Sequence, residues 1–241
     1  GQPFGVDAEA AGLFPLLILL LTSIALLGTS NITLLNLRFL GSVTQWNDPF
    51  FWKIEGPLIE WLVSFPINTA AWDRLYHSAW GIELFAAFVL ILMARGSKAV
   101  LYYSVSMILL FYVGRFLGVL NPVMGPAFFQ PELFGHLKGS ATSRVRPPQG
   151  FGNLKGSVTE RTMQSIDWIL SITPEVAKTK GGILLGGVSA MPSLHVGMVA
   201  ITAFWLAVVN RWTMIVTVPW VLLVWTSTVV LGWHYILDGL G

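Results

Sequence analysis

The sequence predicts an all-α integral membrane protein, a polytopic helical bundle of about six transmembrane helices. Of its 241 residues, 54% are hydrophobic and only 11% are charged, whereas about a quarter of the residues of an ordinary soluble domain are charged. Several apolar runs approach the roughly 20 residues that a helix needs to cross the hydrocarbon core. The 11 tryptophans fit the aromatic belts of a membrane interface.

The composition also excludes several classes of function. The net charge of +2 is spread thinly along the chain, so no basic patch for nucleic acid is indicated. The absence of cysteine excludes disulfides, thiolate catalysis and cysteine-ligated zinc. Asp7 and Glu9 precede the first apolar run without any Lys or Arg. We therefore interpret that run as a retained span and not as a cleaved signal peptide.

The apolar runs set the order of the predicted spans. The first covers residues 13–28 and continues towards residue 37. The next four are predicted at residues 78–94, 99–120, 195–209 and 212–233. A sixth is expected to begin at His234, and because the sequence ends at Gly241 the last helix is apparently truncated.

Residues 44–71 differ in kind from these runs, because tryptophans and phenylalanines alternate there with charges and prolines. This pattern is typical of an interfacial helix or cap. We assign Tyr76 and His77, which follow it, as interfacial anchors. The predicted organisation is therefore an N-terminal part, residues 1–77, and a membrane core, residues 78–241, which includes a long polar connection at residues 121–193.

Basic residues in the short turns predict the orientation. Arg95, Lys98 and Arg211 lie in two such turns, which places these turns in the cytoplasm. The span ends at residues 192–195 and at His234 then face the extracytoplasmic side, together with the connection. Within that connection, the apolar spacing over residues 165–178 predicts an amphipathic helix.

Two short motifs carry the predicted chemistry. His234 and Asp238 stand four residues apart, so on a helix the carboxylate would hold the imidazole as a base or nucleophile. Pro192, Ser193 and His195 form a second motif at the predicted start of a helix. The N–H groups and dipole of a helix start favour an anion such as phosphate. Together they indicate phosphoryl transfer.

The two motifs resemble those of the type 2 phosphatidic acid phosphatase superfamily. Ser227, His234 and Asp238 have that family's spacing. Leu194 stands where the family has Gly, and Thr228 stands where it has Arg. The loss of this Arg resembles the branch that contains inositol phosphorylceramide synthase and the sphingomyelin synthases, which are transferases.

The resemblance implies a role for each matching residue. His234 would be the nucleophile that forms a phosphohistidine, Asp238 its orienting partner, and His195 the acid and then the base. It implies a lipid phosphoester as substrate and neither a metal nor another cofactor. Hydrolysis by water and transfer to an alcohol head group such as inositol both remain open.

Phosphate binding requires positive charge or N–H donors. Arg115 lies in an apolar run, where an arginine is costly and usually functional. We assign it, with Ser193 and Leu194, as the phosphate-binding set. The alternatives for Arg115 are an ion pair with Glu83 or a position snorkelling to the membrane surface.

The superfamily's first motif, Lys, six residues, Arg and Pro, is not intact in this chain. Aligned on Pro122, it places Gly114 and Asn121 at the two charged positions. Lys138 and Arg146, in the polar connection, are a competing pair of phosphate ligands.

Two other hypotheses explain the same residues, and a third does not. His195, His234 and Asp238 have the side chains of a facial iron or zinc site. Arg115 and Glu83 could instead line a transport path or proton relay with them. A noncatalytic membrane subunit would leave the two motifs unexplained.

Overall fold

The computed structural model describes residues 8–40, 46–65, 68–134 and 190–240. Every regular element in these residues is helical, and the described part contains no strand. In chain order the helices are α1 (Ala8–Leu40), α2 (Asp48–Val63), α3 (Thr69–Arg74), α4 (Trp80–Leu120), α5 (Pro126–Phe129), α6 (Pro131–Phe134), α7 (Leu194–Val209) and α8 (Met214–Val230). Single turns of other helix types are the π-helical Leu75–Ala79 and the 3-10 turns Arg211–Thr213 and Leu237–Gly239.

Helix α4 consists of two helical segments that meet at Gly96, where φ is 76°. A positive φ favours glycine. Both ends of α4 lie beside the start of α7, because Tyr76 contacts His195 and the Leu194 side chain lies against Gly114. A straight helix of 41 residues would be about 60 Å long. The chain therefore reverses at Gly96, which confirms the turn predicted between the second and third spans.

The bundle is built from α1, the two segments of α4, α7 and α8. Tyr103 on α4 bonds Thr202 on α7, with 3.1 Å between the hydroxyl oxygens. Arg95 donates to the carbonyl of Val208 at 2.8 Å, so the Gly96 reversal and the end of α7 share one end of the bundle. The buried residues of this core are Ile18, Ala87, Phe88, Ile91, Val100, Tyr103, Met107, Met198 and Leu206.

Among the described residues, two helical stretches pass a test of length and composition for crossing a membrane, Glu83–Gly118 and Arg211–Val230. The first of them contains the reversal at Gly96 and therefore comprises two shorter segments. Leu13–Thr29 and Leu194–Val209 are apolar but shorter. The described helices thus follow the predicted order of apolar runs. The count of six transmembrane helices stays a prediction.

Helix α2 forms within the segment that was predicted to be an interfacial helix or cap. Its residues Phe51, Ile59 and Val63 are buried and share a stripe at helical spacing. They pack in a second core with Val123, Ala127, Phe134, Ala190, Val229 and Tyr235. One face of α2 is therefore part of the protein interior, next to the loops that carry the two motifs, while Phe50, Ile54 and Trp61 are exposed. Its position relative to a membrane stays a prediction.

The prediction that a helix begins at His234 is wrong, because residues 231–240 contain only turns and one 3-10 turn. Helix α8 ends at Val230, and Gly232 two residues later has a φ of 76°, which lies in the left-handed region that terminates a helix. A Cβ at Gly232 would lie 2.6 Å from the Cβ of Ala127. Ala127 is therefore too close to position 232 for any residue that has a side chain. The predicted helix over 165–178 and the candidates Lys138 and Arg146 lie outside the described residues.

Candidate active site

His234 lies in the loop that follows α8. Its Nδ1 is 2.6 Å from the carbonyl oxygen of Ala190. A carbonyl can only accept, so Nδ1 carries the hydrogen, and the lone pair of the neutral imidazole is on Nε2. The main chain of this loop is held because the N–H groups of Trp233 and His234 both donate to Thr228 O, at 2.9 and 3.3 Å. His234 is therefore positioned with Nε2 as its nucleophilic atom.

Asp238 is fully buried beside His234, with 3.6 Å between its Oδ2 and the Nδ1 of that histidine. The prediction that the two residues share a helix is wrong. A turn brings them together instead, because the same Oδ2 accepts the N–H of Tyr235 at 2.8 Å. The Asp238 backbone carbonyl also accepts the Ser193 N–H at 2.7 Å. This bond joins the two sequence motifs directly.

His195 is the second residue of α7. Ser193 caps this helix, with its hydroxyl oxygen accepting the Val196 N–H at 3.4 Å. The Nδ1 of His195 lies 2.9 Å from the hydroxyl oxygen of Tyr76, and the two rings are 4.4 Å apart between centroids. The capped helix start thus fixes the position of the His195 backbone, and Tyr76 fixes the orientation of the His195 ring.

The predicted site residues lie in one region of the structure. His195 lies close enough to His234, His77 and Arg115 for the protonated forms of these groups to interact electrostatically with its imidazole. Arg115 is on α4 next to Gly114, which packs on Leu194. The structure thus brings together His195, His234, Asp238, Arg115, Ser193 and Leu194 at the end of the bundle opposite the Gly96 reversal.

Leu194 and Gly114 fit each other sterically. A Cβ at Gly114 would lie 2.5 Å from Cδ2 of Leu194. Gly114, at the position aligned with the superfamily's Lys, therefore makes room for Leu194. This leucine in turn stands where the superfamily has Gly. Asn121, at the aligned Arg position, donates to the Sδ of Met191 at 2.8 Å and accepts from Asn47 at 2.5 Å.

Two buried carboxylates of α2, which the sequence analysis did not assign to the site, hold the surrounding loops. The oxygens of Asp48 accept the N–H groups of Met124 and Gly125, each at 2.9 Å, and the hydroxyl of Tyr235 at 3.2 Å. Burial raises the pKa of Asp48, and these donors oppose the increase. Asp48 therefore ties the loop after α4 to the residue next to His234.

Glu55 binds the His234 loop from the same helix. Its carboxylate accepts the Ile236 N–H at 2.5 Å and the Leu237 N–H at 2.9 Å. Burial raises the pKa of Glu55 as well, and the two backbone N–H donors oppose this increase. The spacing of seven residues between Asp48 and Glu55 puts both on one helix face, which is the sequence feature that could have identified them.

Tyr76 was predicted to be an interfacial anchor, and this is wrong because its side chain is only 4% exposed. Its ring stacks on Trp233, with centroids 5.9 Å apart and 16° between the planes. The neighbouring His77 faces Asp73 at 3.6 Å, and burial lowers the pKa of His77 although Asp73 opposes this. No feature of the sequence alone pairs residue 76 with residue 195.

A metal site was the alternative use of the two histidines and the aspartate. Within residues 8–40, 46–65, 68–134 and 190–240, no three His, Asp or Glu side chains are grouped so that they could hold a metal ion. The contacts of both histidines at Nδ1 are made with a carbonyl and a hydroxyl.

The fold and site define a helical protein with two histidines in one region at the end of an apolar bundle, one of them beside a buried aspartate. Residues 43–241 match the family model of the PAP2 superfamily, and the chain belongs to that superfamily. Its members are phosphatases, which supports phosphatase activity in general. No curated protein and no solved structure gave a match. The resemblance to the synthase branch stays a prediction.

Proposed function

We propose that this protein transfers the phosphoryl group of a lipid phosphoester through a phosphohistidine at His234. The observation that carries the proposal is the hydrogen bond from His234 Nδ1 to the Ala190 carbonyl. It leaves the lone pair on Nε2, which is the electronic state that a nucleophilic imidazole needs. The buried Asp238 on the Nδ1 side stabilises the positive charge that develops on the ring.

In the first step, Nε2 of His234 attacks phosphorus while the bond from phosphorus to the leaving oxygen breaks. His195 donates its Nε2 proton to that oxygen, which leaves as an alcohol. In the second step, the oxygen of water or of an alcohol attacks phosphorus and gives its proton to His195. The bond between phosphorus and His234 then breaks, and both histidines return to their initial states.

The phosphate oxygens are bound, in this proposal, by Arg115 and by the first N–H groups of α7. The support is that Arg115 acts electrostatically on His195 and that Leu194 and His195 form the first turn of this helix. Ser193 contributes by capping the helix, since its hydroxyl is bound to the Val196 N–H and its own N–H to Asp238.

In this proposal the lipid substrate comes from the membrane, and the orientation of the bundle determines on which side of the membrane it reacts. The apolar composition of Glu83–Gly118, which reverses at Gly96, and of Arg211–Val230 supports a bundle embedded in lipid. Arg95, Lys98 and Arg211 flank turns at the end of the bundle opposite the site. By the positive-inside rule we place the active site on the extracytoplasmic side.

The acceptor separates two versions of the proposal, a lipid phosphatase and a head-group transferase. Thr228, at the position of the superfamily's Arg, is fully buried, and its hydroxyl donates to the Trp225 carbonyl at 2.7 Å. This loss of a cation supports the transferase version that the synthase branch exemplifies. Membership of the PAP2 superfamily does not favour the alternative of a transporter or proton relay.

Product analysis by mass spectrometry tests this proposal. The purified protein in detergent is given a panel of lipid phosphates, with and without inositol, in the presence and absence of a chelator. We expect turnover that is insensitive to the chelator and that falls by about 10⁴-fold or more in His234→Ala. His136→Ala, in the polar connection, is the matched histidine control and should retain activity.

The products then decide the acceptor. Free phosphate formed without inositol identifies a phosphatase, and a new phosphodiester formed only with inositol identifies a transferase. If His234→Ala keeps the parent's rate, the phosphohistidine is wrong. If the folded parent turns over none of the lipids, the enzymatic proposal is wrong and transport has to be measured instead.

A further inference from the structure

We propose that Tyr76 is a positioning residue for His195, whose Nδ1 it holds so that Nε2 is the nitrogen that exchanges protons with the leaving and attacking oxygens. This inference rests on the proposed function of the two histidines. Tyr76 does not belong to either sequence motif. It lies in the π-helical turn Leu75–Ala79 just before α4, a local geometry that is common at functional sites.

Tyr76 fixes the His195 ring from two directions. Its hydroxyl oxygen is 2.9 Å from Nδ1, and its ring lies against the imidazole with 4.4 Å between centroids and 38° between planes. The Tyr76 ring is in turn supported by Trp233, which stacks on it and is adjacent in sequence to His234. One buried phenol therefore sits between the elements that carry the two histidines.

A hydroxyl suits a histidine that must change its protonation state twice in each cycle. The oxygen of Tyr76 can accept a hydrogen bond from Nδ1–H when His195 is an imidazolium, and its O–H can donate when Nδ1 is unprotonated. Burial raises the pKa of Tyr76 well above its usual range, so the phenol keeps its proton. Tyr76 thus holds the ring without adding a negative charge that would retain the proton on His195.

The proton balance follows from this contact. In the first step, the Nε2 proton of the His195 imidazolium moves to the leaving oxygen, and Nδ1–H stays bonded to the Tyr76 oxygen. In the second step, Nε2 takes the proton of the attacking water or alcohol. Tyr76 itself gains and loses no proton over the cycle, which is why it is a positioning residue and not an acid.

The experiment compares Tyr76→Phe with the parent on two substrates whose leaving groups differ. Dioleoyl phosphatidic acid releases an alkoxide that needs a proton, whereas p-nitrophenyl phosphate releases a phenolate that needs none. With inositol present throughout, kcat/KM of Tyr76→Phe for phosphatidic acid should fall by about tenfold to 10²-fold. The value for p-nitrophenyl phosphate should change little, because the phenylalanine ring keeps the packing on Trp233.

The matched control is Tyr103→Phe. Tyr103 is also 4% exposed, also loses a hydroxyl bond to α7 in the variant, and contacts Thr202 away from both histidines. It should keep the parent's ratio of the two kcat/KM values. Equal losses on both substrates in Tyr76→Phe would mean a structural effect and would overturn the proposal.

A second readout does not depend on turnover. In protein labelled with ¹⁵N-histidine, the ring resonances of His195 are identified by their loss in His195→Gln. Tyr76→Phe should move the Nδ1 resonance of His195 and leave those of His234 in place, and Tyr103→Phe should move neither. Unchanged His195 resonances in Tyr76→Phe would overturn the positioning role.

The two readouts separate the failure of this inference from that of the proposed function. A parent without turnover on either substrate contradicts the proposed enzymatic function, while the ¹⁵N resonances still decide whether Tyr76 holds His195. A parent with turnover and a Tyr76→Phe variant with unchanged leaving-group dependence contradicts only the inference about Tyr76.

Discussion

The two histidines of the site are supported in opposite ways. His195 stands on the first turn of α7, and the side chain that contacts its Nδ1 is a neutral hydroxyl. His234 stands on a loop, faces a carbonyl and the buried Asp238 through Nδ1, and depends on α2 for the shape of that loop. In the mechanism proposed above, the partner of Nδ1 is what separates the nucleophile from the proton carrier, because the two side chains are otherwise the same.

Removing the charge beside His234 should have the largest effect among the partner substitutions. In Asp238→Asn the oxygen that accepts the Tyr235 N–H can be kept, but the developing imidazolium loses its anion. We expect single-turnover phosphoryl transfer to slow by about 10²-fold to 10⁴-fold on both alkyl and nitrophenyl substrates. Quenched-flow measurement of the released alcohol is the test.

The molecule offers a matched control for this change. Asp73 and His77 are also four residues apart and 3.6 Å apart, so Asp73→Asn removes an equivalent aspartate that does not face the nucleophile. It should retain most of the activity. An equal loss in both variants would show that the effect is a general one on the region and not specific to His234.

Weakening the support of the His234 loop should come next in size. Glu55→Gln keeps one oxygen for the Ile236 and Leu237 N–H groups and leaves the other N–H opposed by an amide. We expect about 1–3 kcal/mol lower stability and about tenfold to 10²-fold lower kcat/KM, because the nucleophile is misplaced.

Leaving-group dependence makes this result diagnostic. Because Glu55 acts on the nucleophile, Glu55→Gln should affect alkyl and nitrophenyl substrates alike, in contrast to Tyr76→Phe. Glu60→Gln, on the same helix but exposed, is the control and should be near the parent in thermal midpoint and rate. A selective loss on alkyl substrates in Glu55→Gln would contradict the separate supports of the two histidines.

The smallest expected effect concerns the packing of the start of α7 against α4. Gly114→Ala places a Cβ 2.5 Å from Cδ2 of Leu194, and the flexible tip of the leucine has to move. We expect about 1 kcal/mol of destabilisation, which Leu194→Ala should largely remove in the double variant. Thermal unfolding of the four proteins gives the coupling energy, and additive losses would contradict the steric fit.

The helices of the bundle were predictable because they rest on local properties. Apolar runs of sufficient length, separated by Arg95 to Lys98 and by Asn210 and Arg211, give the order and the reversal of α4, α7 and α8. The motif residues were predictable as a set by their resemblance to a family, and the match over residues 43–241 confirms the superfamily.

The remaining features depend on contacts that a linear pattern does not contain. The spacing of His234 and Asp238 suits a helix, but the backbone of Gly232, with its φ of 76°, ends the helix before them. Tyr76 meets His195 only because the chain reverses at Gly96. Glu55 accepts hydrogen bonds from Ile236 and Leu237, which lie 181 and 182 positions further along the chain. The sequence pattern of α2 alone therefore could not distinguish an interfacial segment from a helix that holds the site.

The span of those last contacts sets the order in which the site is completed during synthesis. Asp48 and Glu55 leave the ribosome 181 to 187 residues before Tyr235, Ile236 and Leu237, which they bind. The apolar helices between them are already available for packing. Residues 235–237 therefore have to be synthesised and to pack onto α2 before the proposed site is complete.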